Sequence, residues 1–258
     1  MNRIIFNQAQ LPMADLETIG LAAGDQLLLN EEDMNSLLSG KRTGLLQLHN
    51  LEAENIKIKS MDAKLSVRQL ANGKTELLIH PVYRKPSTPD FLDDFEAKEL
   101  EKGEVASLLK VTKDGRGNTK EVLVEYDKDT REFIVSDTEK ILAPDTVNGE
   151  FMTAAQKENY RKGKEVKLPD GTKFIYSATD THGIRSNKIA LIASILVDGG
   201  LSYMVYRGLN AMFNQKRDEK EAGKLSPAFY NAMRDMDEQK KEQQTASDAA
   251  IKVRAVKR

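Results

Sequence analysis

The chain has 258 residues, with 39 Lys and Arg against 40 Asp and Glu, 40% hydrophobic residues and no cysteine. The near balance of charge argues against a protein that coats nucleic acid through its overall field, and the missing cysteines exclude disulfides, thiol nucleophiles and cysteine zinc sites. The composition predicts a folded protein, and the lack of cysteine fits the reducing cytoplasm, where we expect it.

Three short helix-like runs, each followed by a glycine, are the main internal signal. The glycines are Gly40, Gly103 and Gly163, and glycine suits the end of a helix because it adopts the left-handed conformation without steric cost. After each run, alternating apolar residues surround an Asn-Gly or Asp-Gly pair, the strongest short-range signal of a β-hairpin. This internal repeat predicts an α+β fold of three successive helix–β-hairpin units, with a buried apolar helical segment and a charged helical C-terminal tail.

Changes in composition predict the domain boundaries. Proline breaks both helix and strand around residues 83–94, which are predicted to be a linker, and residues 143–150 form a second junction. Ser226 and Pro227 predict the start of one helix near the C-terminus. The predicted domains are a first unit with an N-terminal extension (1–82), a second unit (95–142), a third unit with the apolar helical segment (151–213), and a charged tail that is partly helical or disordered (214–258).

The apolar run at residues 189–213 is long enough to span a bilayer. It carries Asp198 near its centre and Arg207 further on, and charge at mid-bilayer costs roughly 3 kcal/mol per residue. Two short buried helices, or one kinked helix, is therefore the preferred interpretation, and insertion into a membrane is the alternative.

No motif in the sequence predicts catalysis. His49, His80 and His182 are far apart and lack the helical spacing of a metal pair, and neither a phosphate-binding loop nor a nucleophile elbow is present. Residues 127–130 begin like a calcium loop, but Glu132 stands where that loop needs glycine. The chain is therefore predicted not to be an enzyme and to bind no metal and no small-molecule cofactor.

The candidate binding residues lie in a polar, basic loop before the apolar run. Arg185 and Lys188 are suited to neutralise phosphate or an acidic partner, and Ser186 or Asn187 is suited to cap the predicted helix that follows. Asn187 is also counted among the binding residues. Arg207 is a supporting contact. The alternative is that the loop only caps a buried helix and that its cations stay solvated. A secondary basic contact, to a nucleic-acid backbone or an anionic membrane, is placed in the C-terminal tail at Lys252, Arg254, Lys257 and Arg258. The alternative, which the mixed charge of the tail favours, is a tail that only keeps the protein in solution.

Several stretches resemble uncharacterised domain families from conjugative transposons of Bacteroides-type bacteria. The resemblance rests on YRKGKEVKLPDGT at residues 160–172, GIRSNK at 183–188 and DGGLSY at 198–203. Residues 11–40 look like the start of the same domains, and residues 100–133 are similar to a companion domain of unknown function.

This resemblance covers most of residues 5–213 and implies a biological context. Such domains occur on mobile genetic elements, sometimes beside topoisomerase and mobilisation proteins, and the resemblance implies no catalytic residues. The first hypothesis is a non-enzymatic accessory protein that contacts protein partners or DNA. The alternative is a membrane-associated component of a conjugative transfer apparatus.

Overall fold

A computed structural model describes residues 6–53, 56–188, 190–197, 200–207, 225–238 and 241. The chain folds as two compact units. The first comprises Met1–Leu142, Arg161–Lys164 and Tyr176–Ile184, and the second comprises Ala143–Tyr160, Glu165–Ile175 and Arg185–Arg258.

The first part of the first unit is a three-stranded antiparallel sheet covered on one face by two helices. Asn30 begins the second helix by accepting a hydrogen bond from the Asp33 N–H at 2.8 Å, and Leu16, Leu37 and Leu65 are buried in the core between the helices and the sheet. The elements are α1 (Met13–Thr18), β1 (Ala22–Ala23), β2 (Gln26–Leu27), α2 (Glu31–Leu38), β3 (Leu46–Ala53), β4 (Ile56–Gln69) and β5 (Thr75–Pro81), with the sheet order β3–β4–β5.

The second part of this unit is another antiparallel sheet with one helix on its face. The helix starts at a capping box formed by Asp93 and Glu96, and Leu100 packs with Val122 and Val124 of the sheet. The elements are α3 (Asp94–Lys102), β6 (Leu108–Lys113), β7 (Thr119–Asp127) and β8 (Glu132–Asp137), with the order β6–β7–β8.

Residues 176–184 return to the first unit because buried polar groups hold them there. The Glu125 carboxylate accepts hydrogen bonds from the Ser177 hydroxyl at 2.8 Å and from the Ala178 N–H at 2.7 Å. Further along, the Lys41 ammonium donates to the His182 carbonyl. These bonds attach the segment both to β7 and to the residues that follow α2.

The second unit is built from short strands and one further helix. Its first hairpin turns at Asn148 and Gly149, whose φ angles of 51° and 80° are the left-handed values that the favoured two-residue hairpin turn needs. The elements are β9 (Thr146–Val147), β10 (Glu150–Phe151), α4 (Ala154–Arg161), β11 (Val166–Lys167), β12 (Lys173–Tyr176), β13 (Ile184–Ser186), β14 (Ala190–Val197), β15 (Gly200–Arg207) and α5 (227–238), with the sheet orders β10–β9–β14–β15 and β11–β12–β13.

The predicted fold of three helix–hairpin units is wrong. Helices α2, α3 and α4 lie where the repeat places them, and Gly40, Gly103 and Gly163 have positive φ angles. Small antiparallel sheets nevertheless dominate the described residues, and the third predicted helix–hairpin unit is divided between the two compact units. The repeat reflects local turns and caps, which do not determine what each hairpin packs against.

The predicted apolar helical segment is also wrong, because β14 and β15 form an antiparallel pair in which Val197 lies opposite Gly200. Strand β14 runs between β9 and β15, and all its residues from 190 to 195 are buried. A strand buried on both faces shows no polar alternation, so its sequence resembles that of a buried helix. No helix among the described residues is long and apolar enough to cross a membrane.

The charged helical tail is the third correction. Helix α5 does begin after Ser226, whose hydroxyl accepts a hydrogen bond from the Phe229 N–H at 3.1 Å. However, Phe229 and Ala232 pack against Ala190 and Ile192 of β14. Residues 227–238 therefore contribute to the core of the second unit and are not a solvated tail.

The left-handed conformation of Asn148 gives a test of the second unit. Its side chain donates to Asp170 at 3.1 Å and accepts from the Ile192 N–H at 3.0 Å. We predict that Asn148→Ala lowers the free energy of unfolding by about 1 kcal/mol more than Asn148→Gly. Both variants lose these bonds, but only alanine meets the steric cost of a left-handed residue. Urea denaturation measures both values, and equal losses would contradict the turn.

Candidate functional site

A cluster of charged side chains lies inside the first unit, where β4 and β5 meet the turn between β7 and β8. Lys64 and Asp127, at its centre, are only 3% and 1% exposed. Burying ions in this way is costly unless each has a partner. The interior charge cluster, as we call it, consists of Lys64 and Asp127, the partly buried Arg42, His80 and Glu132, and Asp129, whose side chain is 59% exposed.

Each carboxylate in the cluster faces a cation. The Lys64 ammonium lies 3.0 Å from Asp127 Oδ2 and 2.8 Å from Asp129 Oδ2. The Arg42 guanidinium lies 2.6 Å from Glu132 Oε2 and 3.8 Å from Asp127 Oδ2. Asp127 also accepts a hydrogen bond from the Asp129 N–H at 3.0 Å, which shapes the turn. The cluster therefore closes the turn onto β4.

Three side chains at this site follow the order of a catalytic triad. His80 Nε2 is 2.8 Å from the Ser66 hydroxyl, and His80 Nδ1 is 3.7 Å from Glu132 Oε2. A working triad needs a carboxylate that hydrogen-bonds the imidazole and stabilises its protonated form. Here the second distance is too long for a hydrogen bond, and Glu132 is already bound by Arg42.

The electrostatics of the site also oppose general-base catalysis by His80. Burial, and then the positive charge of Arg42, lower the pKa of His80 to about 4, although Glu132 and Asp127 act in the opposite direction. A base with so low a pKa is poorly matched to neutral pH. The geometry therefore favours a structural role for the Ser66–His80 hydrogen bond.

The outer side of the same turn carries positive charge. Lys128 and Arg131 are exposed, and Arg131 has a φ angle of 56°, which is uncommon for a residue other than glycine. The Tyr83 N–H donates to the Thr130 carbonyl at 2.9 Å, which places the exposed Arg84 and Lys85 beside the turn. We call Tyr83, Arg84, Lys85, Lys128 and Arg131 the basic surface.

Lys128 has an additional contact within this unit. Its ammonium donates to the Lys102 carbonyl at 3.4 Å, at the C-terminal end of α3, where the helix dipole favours a cation. The acidic neighbours of Lys128 and Arg131 form ion pairs with Lys64 and Arg42, although the Asp129 side chain stays 59% exposed. The carboxylates of the turn are therefore compensated by cations from other segments, whereas Lys128 and Arg131 are exposed.

The candidate residues from the sequence lie elsewhere, in the second unit. Arg185 is in β13, and Asn187 and Lys188 follow it, all three half-buried. The Asn187 side chain accepts from the Lys173 N–H at 2.8 Å and donates to the Gly171 carbonyl at 3.2 Å. Asn187 thus fastens the β11–β12 turn and does not cap a helix, because the segment that follows it is a strand.

Of the predicted supporting contacts, the structure describes the backbone of Arg207 but not the four basic residues of the C-terminal tail. Arg207 ends β15 opposite Ala190, so its backbone is close in the fold to the chain that follows Lys188. The binding roles of Arg185, Asn187, Lys188 and Arg207 stay predictions. The secondary basic contact, at Lys252, Arg254, Lys257 and Arg258, lies outside the described residues.

The basic surface was not found from the sequence. Residues 83–94 read as a linker because of their prolines, although Tyr-Arg-Lys at 83–85 combines an aromatic ring with two cations. Their proximity to Arg131 depends on the Tyr83–Thr130 hydrogen bond between residues far apart in the chain, which no local pattern encodes. Within the described part of the chain, no group of three His, Asp or Glu side chains is arranged to hold a metal ion.

Comparison with protein families gives one match. Residues 6–89, about a third of the chain, match the model of a family described as a protein of unknown function, DUF4099. This span includes α1 to β5, and so Lys64, His80 and the Tyr83–Lys85 part of the basic surface. It supports the prediction of an uncharacterised domain family. No curated protein and no solved structure matches the chain.

The interior charge cluster predicts a large difference between two cations on β4. We expect Lys64→Met to lower the free energy of unfolding by about 3 kcal/mol or more, because it leaves the buried Asp127 without its nearest cation. Arg68→Met, on the same face, removes an exposed ion pair with Glu76 and should cost about 1 kcal/mol or less. Urea denaturation measures both losses, and similar values would contradict the buried pair.

His80 predicts a specific pH dependence of stability. An unfolded histidine has a pKa of about 6.5, whereas His80 in the fold has a pKa of about 4. The unfolded state therefore binds a proton first as the pH falls, so this contribution to stability is complete above about pH 6.5 and is lost towards about pH 4.

Substitution of two histidines isolates this effect. Between about pH 7 and about pH 5, where an unfolded histidine titrates, the wild type should lose more stability than His80→Gln. His49→Gln, which changes an exposed histidine on β3, should behave like the wild type. Urea unfolding at both pH values gives the comparison, and identical pH dependence in all three proteins would refute the prediction.

Proposed function

We propose that this protein is a non-enzymatic accessory protein of a mobile genetic element that contacts DNA through the basic surface. The observation that carries the proposal is the distribution of charge at the β7–β8 turn. Asp127, Asp129 and Glu132 are each paired with Lys64 or Arg42, whereas Lys128 and Arg131 are exposed.

The basic surface suits a polyanion better than a small molecule. Its cations come from two chain segments joined by the Tyr83–Thr130 hydrogen bond, and they lie on an open surface. Lys and Arg on such a surface contact phosphates and position a nucleic acid without reading its sequence. A local patch is compatible with a net charge of −1, because phosphate contacts act over roughly one Debye length, about 8–10 Å.

Arg131 adds a second argument. A left-handed residue other than glycine costs roughly 1–2 kcal/mol, and asparagine or glycine would occupy this turn position with less strain. An exposed arginine contributes little to the core in return. Strained residues of this kind cluster at binding sites, which supports a role for the guanidinium in binding.

The biological context of the proposal comes from sequence. The resemblance to domains of conjugative transposons supports an accessory role on a mobile element in the cytoplasm. The family that matches residues 6–89 is of unknown function and supports only membership of an uncharacterised domain family. The protein would be free of catalytic activity and of cofactors. In this proposal Arg185, Lys188 and Arg207 of the second unit are additional phosphate contacts.

The test is fluorescence anisotropy of labelled DNA with the purified full chain at low and near-physiological salt. We expect binding that weakens as salt rises. Arg84→Glu/Lys85→Glu should weaken it at least tenfold, because phosphate contacts are lost, and should also lower the slope of log K against log salt. Arg185→Ala/Lys188→Ala should also weaken binding, because the proposal assigns these two cations to phosphate contacts.

A matched control has the same change in net charge. Lys74→Glu/Lys113→Glu alters two exposed lysines. Lys74 precedes β5 and Lys113 ends β6 beside the start of β7, so each lies one strand length, roughly 20 Å or more, from the basic surface. This variant should bind like the wild type. Equal weakening by both double variants, or no binding to DNA at low salt, would overturn the proposal and leave an acidic protein as the partner to test.

A further inference from the structure

We infer that the basic surface binds single-stranded rather than duplex DNA, with one base stacked on the ring of Tyr83. This inference rests on the proposed function and specifies its ligand. It depends on three features of residues 82–85: a fixed backbone, an exposed aromatic ring and two cations that directly follow the ring.

Two backbone hydrogen bonds, one to β4 and one to the β7–β8 turn, fix the chain around Tyr83. The Val82 N–H donates to the Asp62 carbonyl of β4 at 3.2 Å, and the Tyr83 N–H donates to the Thr130 carbonyl at 2.9 Å. The Tyr83 side chain is nevertheless 44% exposed. A ring on a fixed backbone loses little conformational freedom when it binds a ligand, so more of the contact energy appears as affinity.

The neighbouring charges fit a single strand. Arg84 and Lys85 follow the ring directly in the chain, and Arg131 follows the residue that accepts the Tyr83 hydrogen bond. Proteins that bind single strands combine cations along the phosphate backbone with aromatic rings on which the bases stack. The basic surface contains both components within a few residues.

Duplex DNA fits this surface less well. Reading a major groove requires a helix or a two-stranded ribbon that enters it, whereas residues 82–85 form an irregular segment lying against the β7–β8 turn. In a duplex the bases are already stacked on one another, so the Tyr83 ring has no base face to contact. Only the cations would then contribute, through the phosphates.

The experiment compares Tyr83→Leu and Tyr83→Phe with the wild type. Anisotropy is measured with a labelled oligodeoxythymidylate and with a labelled duplex of equal strand length, in the full chain and at several salt concentrations. We expect Tyr83→Leu to weaken binding to the single strand about tenfold, because stacking of one base is worth roughly 1–3 kcal/mol. Tyr83→Phe should retain binding, because it keeps the aromatic face.

Two further readouts separate stacking from charge. The salt slope with the single strand should be the same in Tyr83→Leu as in the wild type, because no phosphate contact is lost. Binding to the duplex should be weaker than to the single strand in the wild type and unchanged by Tyr83→Leu, because the ring does not contact a duplex. Urea unfolding checks that Tyr83→Leu is folded. Loss of binding in Tyr83→Phe as well would assign the effect to the hydroxyl and overturn stacking.

Failure of this inference can be distinguished from failure of the proposed function. If Tyr83→Leu binds the single strand like the wild type, or if the duplex binds more tightly, the single-strand inference is wrong. The proposed function still stands in that case, provided that Arg84→Glu/Lys85→Glu weakens binding. If polyglutamate displaces DNA as well as unlabelled oligodeoxythymidylate does, the surface recognises acidic protein and both proposals are wrong.

Discussion

The architecture of the first unit depends on burying the ammonium group of Lys64 against Asp127. Lys64 lies on β4 between Ala63 and Leu65, which are both fully buried. Because side chains alternate along a strand, those two neighbours face the helices and Lys64 faces the other way. That opposite face must therefore be covered by groups that compensate a charge, and the β7–β8 turn supplies them. The ion pairs of Lys64 with Asp127 and Asp129 thus join the β7–β8 turn to the first sheet.

A second buried ammonium extends the same principle. Burial lowers the pKa of Lys41 to about 8, although Asp180 acts in the opposite direction, and the ammonium donates to the His182 carbonyl. Gly183 packs directly against this side chain, where a Cβ atom would collide with it. Residues 176–184 thus join the first unit through a polar contact. At both lysines a charged side chain and its polar partners hold two chain segments together. Such contacts matter here because the aliphatic cores of short hairpins are small.

The features predicted correctly from the sequence are those determined within a few residues. Capping by Ser226, the left-handed glycine at Gly103 and the Asn-Gly hairpin between β4 and β5 follow from local chemistry. The errors concern packing partners. Strand β14 looks helical because both its faces are buried, and residues 83–85 look like a linker because Thr130, their hydrogen-bond partner, is 47 residues away. The ion pairs that compensate the carboxylates of the β7–β8 turn likewise join residues far apart in the chain.

The interior charge cluster also explains why a site that contains Ser66, His80 and Glu132 is better suited to holding a structure than to catalysis. Glu132 could stabilise a protonated His80 only if its charge were not already compensated. Arg42 compensates it at 2.6 Å and helps to lower the pKa of His80. The contact that makes burial of Glu132 tolerable therefore removes the basicity that a serine nucleophile requires. The same cation that stabilises Glu132 in the fold thus helps to make His80 a poor base. The DNA contact that we propose lies instead on the outer side of the turn, where Lys128 and Arg131 are exposed.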